Sequence, residues 1–401
     1  MLRPMDNLPQ TQPKLDVTCS GAPYEMGFAQ GAALRERIQL GRRELSKLEA
    51  FRNEQPWWMP YPVFLAYAER KVAGLVRPGV AAAFPEMQQR LEGIAAGAAV
   101  PLNALYLLNG LEALMASVEG KIQISALAAA CSAIAVRGSR SQGGQPVIAR
   151  NFDYLPIVQP FYAIRRCEPT GGMRSLEFTL APLAGTVDGV NEAGLCITYN
   201  YAFTLDRPGK KFGFISMAIS EAMARCRTVA EAAEWISSRP RWGGGILMLA
   251  DAAGDIASLE LSSTQATLRR PVSGANVIYH TNCFFEPTTS AAQVPAGAVF
   301  TDRAPKPIRG RRVLESADVR RNRFEELLSP QGKFSGPLGP NDLQAILSDH
   351  GQPGQPGDNA LCMNGSYWTT TASLQLFPHC RTIRVAYSSA CEAKYVELQL
   401  N

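Results

Sequence analysis

The stretch SALAAACSAIAVRG, residues 125–138, is where the character of the sequence changes. Four of the five residues before Cys131 are alanine, and from Cys131 onward the residues alternate in the manner of a β-strand. Small side chains at 129 and 130 leave the carbonyl before the cysteine sterically accessible to its thiol. We therefore interpret Ala130–Cys131 as a cleavage site that makes Cys131 a new N-terminal residue.

An N-terminal cysteine has a chemical advantage over an internal one. Its own α-amino group has a reference pKa of roughly 7.7–8.0 and lies close to the sulfur, so it can serve as the base without a histidine. The residues alone leave a simpler interpretation open. Cys131 is one of nine scattered cysteines with no CxxC pair, and most such cysteines are reduced, buried core residues.

The bulk composition is that of an ordinary globular protein. The chain has 401 residues, 46% hydrophobic and 19% charged, with a formal net charge of +5. This balance excludes wholesale disorder and gives no indication of a nucleic-acid partner. The start, MLRPMDNLPQTQPKLD, has no apolar core of a secretory signal, and the longest apolar run, Ile124–Val136, is shorter than the roughly 20 residues of a membrane helix. We expect a soluble, cytoplasmic protein without a membrane partner.

The order of predicted elements indicates the fold class. Up to about residue 120 the apolar spacing is helical, whereas the segments CSAIAVRG, PVIARNFDY, TVDGVNEAGLCITYNYAF and ILMLADAAGDIASLEL read as strands and hairpins. Helices are predicted near 214–225, 228–239, 320–328 and 341–347, and three strands close the chain. Runs of strands separated by helix pairs predict stacked antiparallel sheets with helices outside, an α+β fold.

Other catalytic signatures are weak in this sequence. His280, His350 and His379 are dispersed, and neither GxSxG nor HExxH occurs. Cysteine and histidine residues do not follow a metal-ligand spacing, so we expect no metal and no cofactor. A histidine placed beside a nucleophile by the fold stays an open alternative.

The ordered series CSAIAVRG, PVIARNFDY, NEAGLCITYNY, HTNCF, SADVRRNRFEELL and LSDH resembles one family. It is similar to the N-terminal-nucleophile (Ntn) hydrolases of the acyl-coenzyme A:6-aminopenicillanate acyltransferase type, also classed as C45 peptidases, and more distantly to choloylglycine hydrolases. The likeness includes GAPYEMGFAQG and LEGIAAGAAVPLNALYLLN, so it spans nearly the whole chain. It implies a four-layer αββα sandwich. Residues 1–130 would form a helical segment retained after cleavage, and 131–401 the catalytic domain.

The resemblance also implies roles for individual residues. Cys131 occupies the position of the nucleophile, and Arg150 and Asp153 match residues that hold the thiolate and the freed amine. Strand alternation would place these two side chains on opposite faces, so that a bulge would be needed for both to reach the sulfur. This makes Arg150 the weaker candidate. The residue-level alternative for Asp153 is a turn or capping role.

Three further residues take their roles from the same resemblance. Asn282 matches an asparagine whose side chain helps form the oxyanion hole, and Asn200 matches the position of the other donor, through its backbone N–H. Arg320 matches an arginine that braces the site, and if buried it would need a carboxylate partner, for which Asp153 is the candidate. Read alone, both asparagines fit ordinary turns, and Arg320 and Arg323 fit a solvated helix face.

The sequence departs from the family pattern at two points. Ala130 stands where glycine or aspartate is frequent, which bears on the efficiency of self-cleavage. Cys283 stands where relatives commonly have histidine. A segment with eight basic residues, DRAPKPIRGRRVLESADVRRNR, is either a solvated loop and helix or a surface that attracts an anionic substrate such as a coenzyme A thioester.

The resulting hypothesis is an Ntn amidohydrolase or acyltransferase. Cys131 would attack a small-molecule amide or acyl thioester, and the chain's own N-terminal fragment would be its partner after cleavage. The alternative is an unprocessed, non-catalytic protein that uses the same fold to bind a small molecule. The sequence leaves the acyl group, the acceptor and the oligomeric state open.

Overall fold

The structure is a computed structural model that describes residues 12–116, 130–302, 304–351 and 357–401. Residues 125–129, just before the predicted cleavage site, lie outside these ranges, whereas Ala130 and Cys131 lie within them. The described helices are α1 (Pro23–Ala33), α2 (Arg35–Glu44), α3 (Glu49–Arg52), α4 (Tyr61–Ala83), α5 (Pro85–Ala98), α6 (Leu102–Ala116), α7 (Ile215–Arg225), α8 (Val229–Ser238), α9 (Pro287–Ser290), α10 (Glu315–Leu328) and α11 (Pro340–Leu347).

The strands run from one end of the described chain to the other. They are β1 (Leu15–Gly21), β2 (Ala130–Val136), β3 (Val147–Tyr154), β4 (Tyr162–Pro169), β5 (Ser175–Leu180), β6 (Asp188–Asn191), β7 (Cys196–Ala202), β8 (Gly244–Ala250), β9 (Ile256–Leu261), β10 (Ala266–Arg269), β11 (Val277–His280), β12 (Thr369–Phe377), β13 (Thr382–Ala386) and β14 (Val396–Gln399).

Local sequence signals explain several boundaries. Thr228 caps α8, where its side chain accepts a hydrogen bond from the Glu231 N–H at 3.2 Å, while Glu231 Oε2 accepts from the Arg227 N–H at 2.7 Å. Asp251 fixes the β8–β9 turn, because its Oδ1 accepts from the Asp255 N–H at 3.0 Å. The helices, the three hairpins β2–β3, β6–β7 and β8–β9, and the three closing strands predicted from the sequence are present.

Two sheets lie face to face. The eight-stranded sheet has the order β1-β4-β5-β6-β7-β8-β9-β10, and the six-stranded sheet has the order β11-β2-β3-β12-β13-β14. All neighbours among the described strands are antiparallel except β1 and β4, which are parallel. The sheets are thus of the predicted antiparallel type, with one parallel pair added at an edge.

Helices cover both outer faces of the sandwich. Between the sheets lies one apolar core, to which Cys131, Phe152 and Met248 belong. Ile134 and Ala149, on the outer face of the six-stranded sheet, share a cluster with residues of α10 and α11, and the outer face of the eight-stranded sheet shares the largest cluster with residues of α2 and α4–α8. This confirms the predicted four-layer αββα architecture.

The segment before Cys131 is not purely helical, contrary to the sequence prediction. Residues Leu15–Gly21 form strand β1 at the edge of the eight-stranded sheet, where Cys19 is the register partner of Cys167. Only part of this strand is buried, so its apolar alternation is weak and easily missed. Residues of this segment, such as Ile38, Leu91 and Leu105, are fully buried in the largest core cluster, so the segment is built into the sandwich.

None of the described helices is by itself long and apolar enough to cross a bilayer. The pair Pro85–Ala98 and Leu102–Leu111 meets the length and composition test only when taken together, and it is bent by 118°.

Candidate active site

The β2–β3 hairpin brings Cys131 and Arg150 together. Cys131 lies opposite Phe152 in the register, and Ala133 lies opposite Arg150. Since alternate residues of a strand share a face, Cys131, Arg150 and Phe152 all point between the two sheets. Arg150 Nη2 donates to Cys131 Sγ at 3.1 Å. The expected separation of Arg150 from Asp153 is confirmed, but Arg150 is the one on the same face as the sulfur and needs no bulge to reach it.

Arg150 is held from several sides. Its Nη1 forms a fully buried ion pair with Asp188 Oδ1, and its guanidinium carbon lies 4.8 Å from the centre of the Phe152 ring. These contacts fix a cation beside the Cys131 sulfur. A guanidinium in this position favours the thiolate over the thiol.

Asp153 approaches the cysteine from the other face of the hairpin. Its side chain is fully buried, and Thr370 Oγ1 donates to its Oδ1 at 2.5 Å. Its Oδ2 has no hydrogen-bond partner among the described residues. Burial raises the pKa of Asp153 from 3.8 to about 7, although Arg320, the Thr370 hydroxyl and Arg150 act in the opposite direction. A carboxyl group with such a pKa can exchange a proton near neutral pH.

The thiol of Cys131 is almost completely buried, with 1% of the residue exposed. Burial raises its pKa to about 11, and Arg150 only partly offsets this effect. Among the described residues no histidine hydrogen-bonds to this sulfur. His280 is buried on the neighbouring strand and contacts Ser258 Oγ through Nδ1 at 2.9 Å, and His350 and His379 are exposed. The histidine-assisted alternative therefore has no contact in support of it.

Asn282 lies directly against the candidate cleavage site. Its Oδ1 accepts from the Cys131 backbone N–H at 2.8 Å and from Arg320 Nη2 at 2.9 Å, while its Nδ2 donates to the Tyr201 carbonyl at 2.6 Å. The amide thus spans the gap between the two sheets. It contacts the nitrogen that would become the free α-amine.

Arg320 is buried and contacts residues next to the Ala130–Cys131 bond, but it does not pair with its predicted partner, Asp153. Nη1 donates to the Cys131 carbonyl at 2.5 Å and to Ser132 Oγ at 3.0 Å. In the described chain no carboxylate lies within 4 Å of this guanidinium, so the expected ion pair with Asp153 is not formed. The reason is that carbonyl, hydroxyl and amide oxygens supply enough acceptors. Burial lowers the pKa of Arg320, and Asp153 opposes that shift.

Asn200 lies close to the site, but its predicted oxyanion donor points away from it. The Leu195 carbonyl accepts a hydrogen bond from the Asn191 N–H of β6 at 3.0 Å. The Tyr199 N–H donates to Asp188 Oδ1 of β6 at 3.1 Å. Backbone groups alternate along a strand, so the Asn200 N–H points toward β8 and the Tyr201 N–H points back to the β6 side. The Asn200 side chain instead donates to the Thr281 carbonyl at 3.3 Å, next to Asn282.

The basic segment is largely neutralised. Arg311 pairs with Asp358 at 2.7 Å, Arg312 pairs with Asp318 at 3.2 Å, and Arg323 binds the Asp349 carboxylate with two hydrogen bonds of 2.9 and 2.7 Å. Arg323 is therefore an ion-paired surface residue rather than part of the site. The basic residues of this segment offer less free positive charge than their number indicates.

Cys131 lies in the wall of an apolar cleft that is open to solvent and encloses about 1250 Å³ when the solvent-filled mouth is included. The rest of the lining is mostly aliphatic and aromatic, and it comes from both sides of residue 130. The segment before the cysteine contributes Leu45, Leu48, Leu108 and Leu111, and the segment after it contributes residues such as Phe152, Ile157, Leu180, Tyr201, Phe214 and Trp242.

Three residues of this site, Asp188, Thr370 and Tyr201, were not predicted from the sequence. Asp188 was read only as part of a hairpin, and no local pattern connects it to Arg150, which lies 38 positions earlier. Thr370 lies 217 positions from Asp153. Strand alternation counted from Tyr199 could have indicated Tyr201, provided that the neighbours of β7 had been known.

The comparisons with known proteins agree with this description. Residues 140–350, more than half of the chain, match the family described as acyl-coenzyme A:6-aminopenicillanic acid acyl-transferase. Arg150, Asp153, Asn200, Asn282 and Arg320 lie inside the matched range, and Cys131 lies nine positions before it. No curated protein sequence matches the chain significantly.

Three solved structures are similar to this chain. An N-acylethanolamine-hydrolyzing acid amidase ortholog of Caenorhabditis elegans is 14% identical with a TM-score of 0.38, covering 62% of this chain and 93% of its own. A variant of conjugated bile acid hydrolase from Clostridium perfringens is 13% identical with a TM-score of 0.40, covering 68% of this chain and 97% of its own. Penicillin V acylase from Agrobacterium tumefaciens is 14% identical with a TM-score of 0.38, covering 67% of this chain and 86% of its own.

At such TM-scores the chain paths agree only in part, so the assignment rests on the sequence match. On that match, the chain belongs to the acyl-coenzyme A:6-aminopenicillanic acid acyl-transferase family of enzymes.

Proposed function

We propose that the chain cuts itself between Ala130 and Cys131 and then transfers acyl groups from amides or acyl thioesters through an acyl-cysteine. The observation that carries this proposal is the environment of Cys131. Its sulfur lies 3.1 Å from Arg150 Nη2, and its nitrogen lies 2.8 Å from Asn282 Oδ1, in the wall of an apolar cleft. A cation beside the sulfur and an acceptor beside the nitrogen are what an N-terminal nucleophile requires.

The first step is an acyl shift within the chain. Cys131 Sγ attacks the Ala130 carbonyl carbon, the C–N bond breaks, and the thiol proton passes to the departing nitrogen. Water then hydrolyses the thioester, which restores the thiol and leaves Ala130 with a new carboxylate at the end of the N-terminal fragment. Asp153, whose pKa is about 7, is the group placed to relay the proton.

The freed amine completes the catalytic group. As an amine its nitrogen accepts the thiol proton, and as an ammonium it donates to Asn282 Oδ1. The second oxygen of Asp153, which has no hydrogen-bond partner among the described residues, supplies the counter-charge. The new amine thus compensates a carboxylate that the uncut chain leaves incompletely bonded.

For the oxyanion hole we propose the Tyr201 backbone N–H and Asn282 Nδ2. Both groups lie on the β6 side of β7, next to Cys131, because Asn282 Nδ2 already contacts the Tyr201 carbonyl. Donors aimed at a developing oxyanion contribute roughly 3–4 kcal/mol each to lowering the barrier. Asn200 is then a positioning residue, which acts through Thr281 on Asn282.

The cleft indicates the class of acyl group. Its lining is mainly aliphatic and aromatic, so a long aliphatic or aromatic acyl chain gains free energy by leaving water there. Leu45, Leu48, Leu108 and Leu111 come from the segment before the cut. The N-terminal fragment therefore has to stay bound to keep the acyl site intact.

The first experiment is the intact mass of the purified protein under denaturing conditions. Wild type should give two species, residues 1–130 and 131–401, and Cys131→Ala should give one species near 43.4 kDa. Cys226→Ala, which removes a cysteine remote from the site, is the matched control and should be cut like wild type. A full-length wild-type chain would contradict the mechanism and favour an unprocessed binding protein.

The second experiment tests the acyl-cysteine. The processed enzyme, with both fragments associated, is incubated with acyl amides and with acyl-coenzyme A thioesters of increasing chain length, and the mass of its 131–401 fragment is measured after acid quenching. We expect an increment of one acyl group, located on Cys131 by peptide mapping. Added hydroxylamine that captures the acyl group in place of water would show transferase capacity. Absence of the increment with every substrate would refute acyl transfer.

A further inference from the structure

A second cluster of reactive side chains lies outside the cleft. His350, Cys362 and Cys391 each present a ligand atom, and these atoms lie within 4.8 Å of one another. The two sulfurs are 3.5 Å apart and are not bonded as a disulfide. The residues are 12 and 29 positions apart along the chain. This is far from the short spacing of common zinc motifs, so the cluster cannot be recognised from the sequence.

The geometry points to a transition-metal site, which we propose binds Zn²⁺ through His350, Cys362 and Cys391. Two Zn–S bonds of about 2.3 Å at a tetrahedral angle place the sulfurs roughly 3.8 Å apart, close to the observed 3.5 Å. Two thiolates and an imidazole form a soft ligand set that suits Zn²⁺ rather than Mg²⁺ or Ca²⁺. Water fills the fourth position, because His350 and Cys391 are exposed.

The backbone holds the three residues in place before any ion arrives. The Cys362 N–H donates to the Asp349 carbonyl at 2.9 Å, which pairs the segments that carry Cys362 and His350. Gln344 of α11 donates to the Ala390 carbonyl at 3.0 Å, next to Cys391. A site that is already assembled avoids most of the ordering cost of metal binding.

The histidine also has the contact that metal ligands usually make. Its Nδ1 lies 3.2 Å from the Cys362 carbonyl oxygen. A ring N–H donated to a backbone carbonyl fixes the orientation of the imidazole and leaves the other nitrogen with its lone pair. Zn²⁺ then displaces the two thiol protons, which pass to solvent, so affinity should fall as the pH is lowered.

The position of the cluster connects it to the nucleophile. On one side of Cys362, the Leu361 carbonyl accepts from Asn151 of β3 at 2.8 Å. On the other side, the Met363 N–H donates to Thr370 Oγ1 at 2.8 Å, and this hydroxyl in turn donates to Asp153. A metal ion at Cys362 would therefore stabilise the segment that holds Asp153 in place.

The test uses the full chain, reduced and stripped of metal with a chelator. Co²⁺ is titrated as a spectroscopic probe and Zn²⁺ as its competitor. Wild type should bind one Co²⁺ with thiolate charge-transfer and tetrahedral d–d absorption, and Zn²⁺ should displace it. Cys391→Ser and His350→Ala should weaken binding by more than the roughly 10–100-fold cost of losing an outer-shell partner.

The chain offers matched controls for both substitutions. Cys380 and His379 are also exposed and lie outside the cluster, so Cys380→Ser and His379→Ala should bind like wild type. Zn²⁺ should raise the unfolding midpoint of wild type and of both controls, but not that of Cys391→Ser. Equal Co²⁺ binding by wild type and Cys391→Ser would overturn the proposal. So would reduced wild type that binds no metal and on oxidation forms only a Cys362–Cys391 disulfide.

Discussion

Two buried charged clusters in this protein show opposite electrostatics. Glu177 and Asp153 are both fully buried near two arginines, yet the pKa of Glu177 is lowered to about 2, whereas that of Asp153 is raised to about 7. Burial raises both values, so the difference comes from the partners.

The partners of Glu177 are complete. Arg165 donates to it at 2.8 Å, and hydroxyls of Ser175 and Thr186 donate at 2.7 Å. Arg165 is itself bonded to Gln30 at 2.7 Å. Asp153 has one hydroxyl donor and no guanidinium within 4 Å among the described residues. We infer that the first cluster stabilises the sheet, and that the second awaits a charge that cleavage at Cys131 supplies.

The largest expected effect comes from breaking the complete cluster. Arg165→Met leaves Glu177 charged and unpaired in the interior, which should cost about 3–5 kcal/mol of unfolding free energy. Arg174→Met is the control, because Arg174 pairs with Glu192 at the surface and should cost at most about 1 kcal/mol. Equilibrium denaturation measures both. Equal losses would show that burial of Arg165 adds nothing.

Breaking the incomplete cluster should affect chemistry and not stability. Asp153→Asn removes the proton relay with little change in shape, so cleavage at Ala130 should slow by about 100-fold or more. In the uncut Cys131→Ala background the same substitution should leave the unfolding free energy equal or raise it, because an incompletely bonded carboxyl group is removed. A time course by mass spectrometry, together with denaturation, measures both quantities. Cleavage at the wild-type rate would remove Asp153 from the mechanism.

Substitution of Asn282 should lower the rate of acyl transfer much more than substitution of Asn200. Asn282→Ala removes an oxyanion donor and the contact to the Cys131 nitrogen, so we expect a rate about 100–1000-fold lower. Asn200→Ala loses one long hydrogen bond to Thr281, worth about 1 kcal/mol, so the decrease should be about 10-fold or less. Acyl transfer by the cut enzyme is the measurement. A larger loss for Asn200→Ala would restore its predicted direct role.

The smallest effect is a pH dependence that should have opposite sign in the two clusters. Because the folded pKa of Asp153 is raised in the uncut chain, the stability of the uncut variant Cys131→Ala relative to the double variant with Asp153→Asn should fall as pH rises from about 4 to 7. Because that of Glu177 is lowered, the stability of wild type relative to Glu177→Gln should fall as pH drops from about 4.5 to 2. Each slope is at most about 1.4 kcal/mol per pH unit. Slopes of the same sign would refute the contrast.

Local patterns predicted much of the fold because their causes are local. Alternation identified β2 and β3, and the Thr228–Glu231 cap identified α8, since both depend on residues a few positions apart. Strand β1 was missed because it is half-exposed and stabilised by β4, which lies about 148 positions later. The sequence could not show that the Asn200 N–H points toward β8, because the direction of a backbone N–H depends on which neighbour a strand has.

By itself, the sequence determined the αββα class, the family and some of the residues around Cys131, namely Arg150, Asp153, Asn282 and Arg320. Only the tertiary structure decided that Arg150 faces the sulfur and that Arg320 donates to uncharged oxygen atoms. It also decided that His350, Cys362 and Cys391 lie close together. The physical reason is that side-chain direction and charge partners depend on sheet register and on long-range packing. A protonation state such as that of Asp153 depends in turn on which groups that packing leaves unpaired.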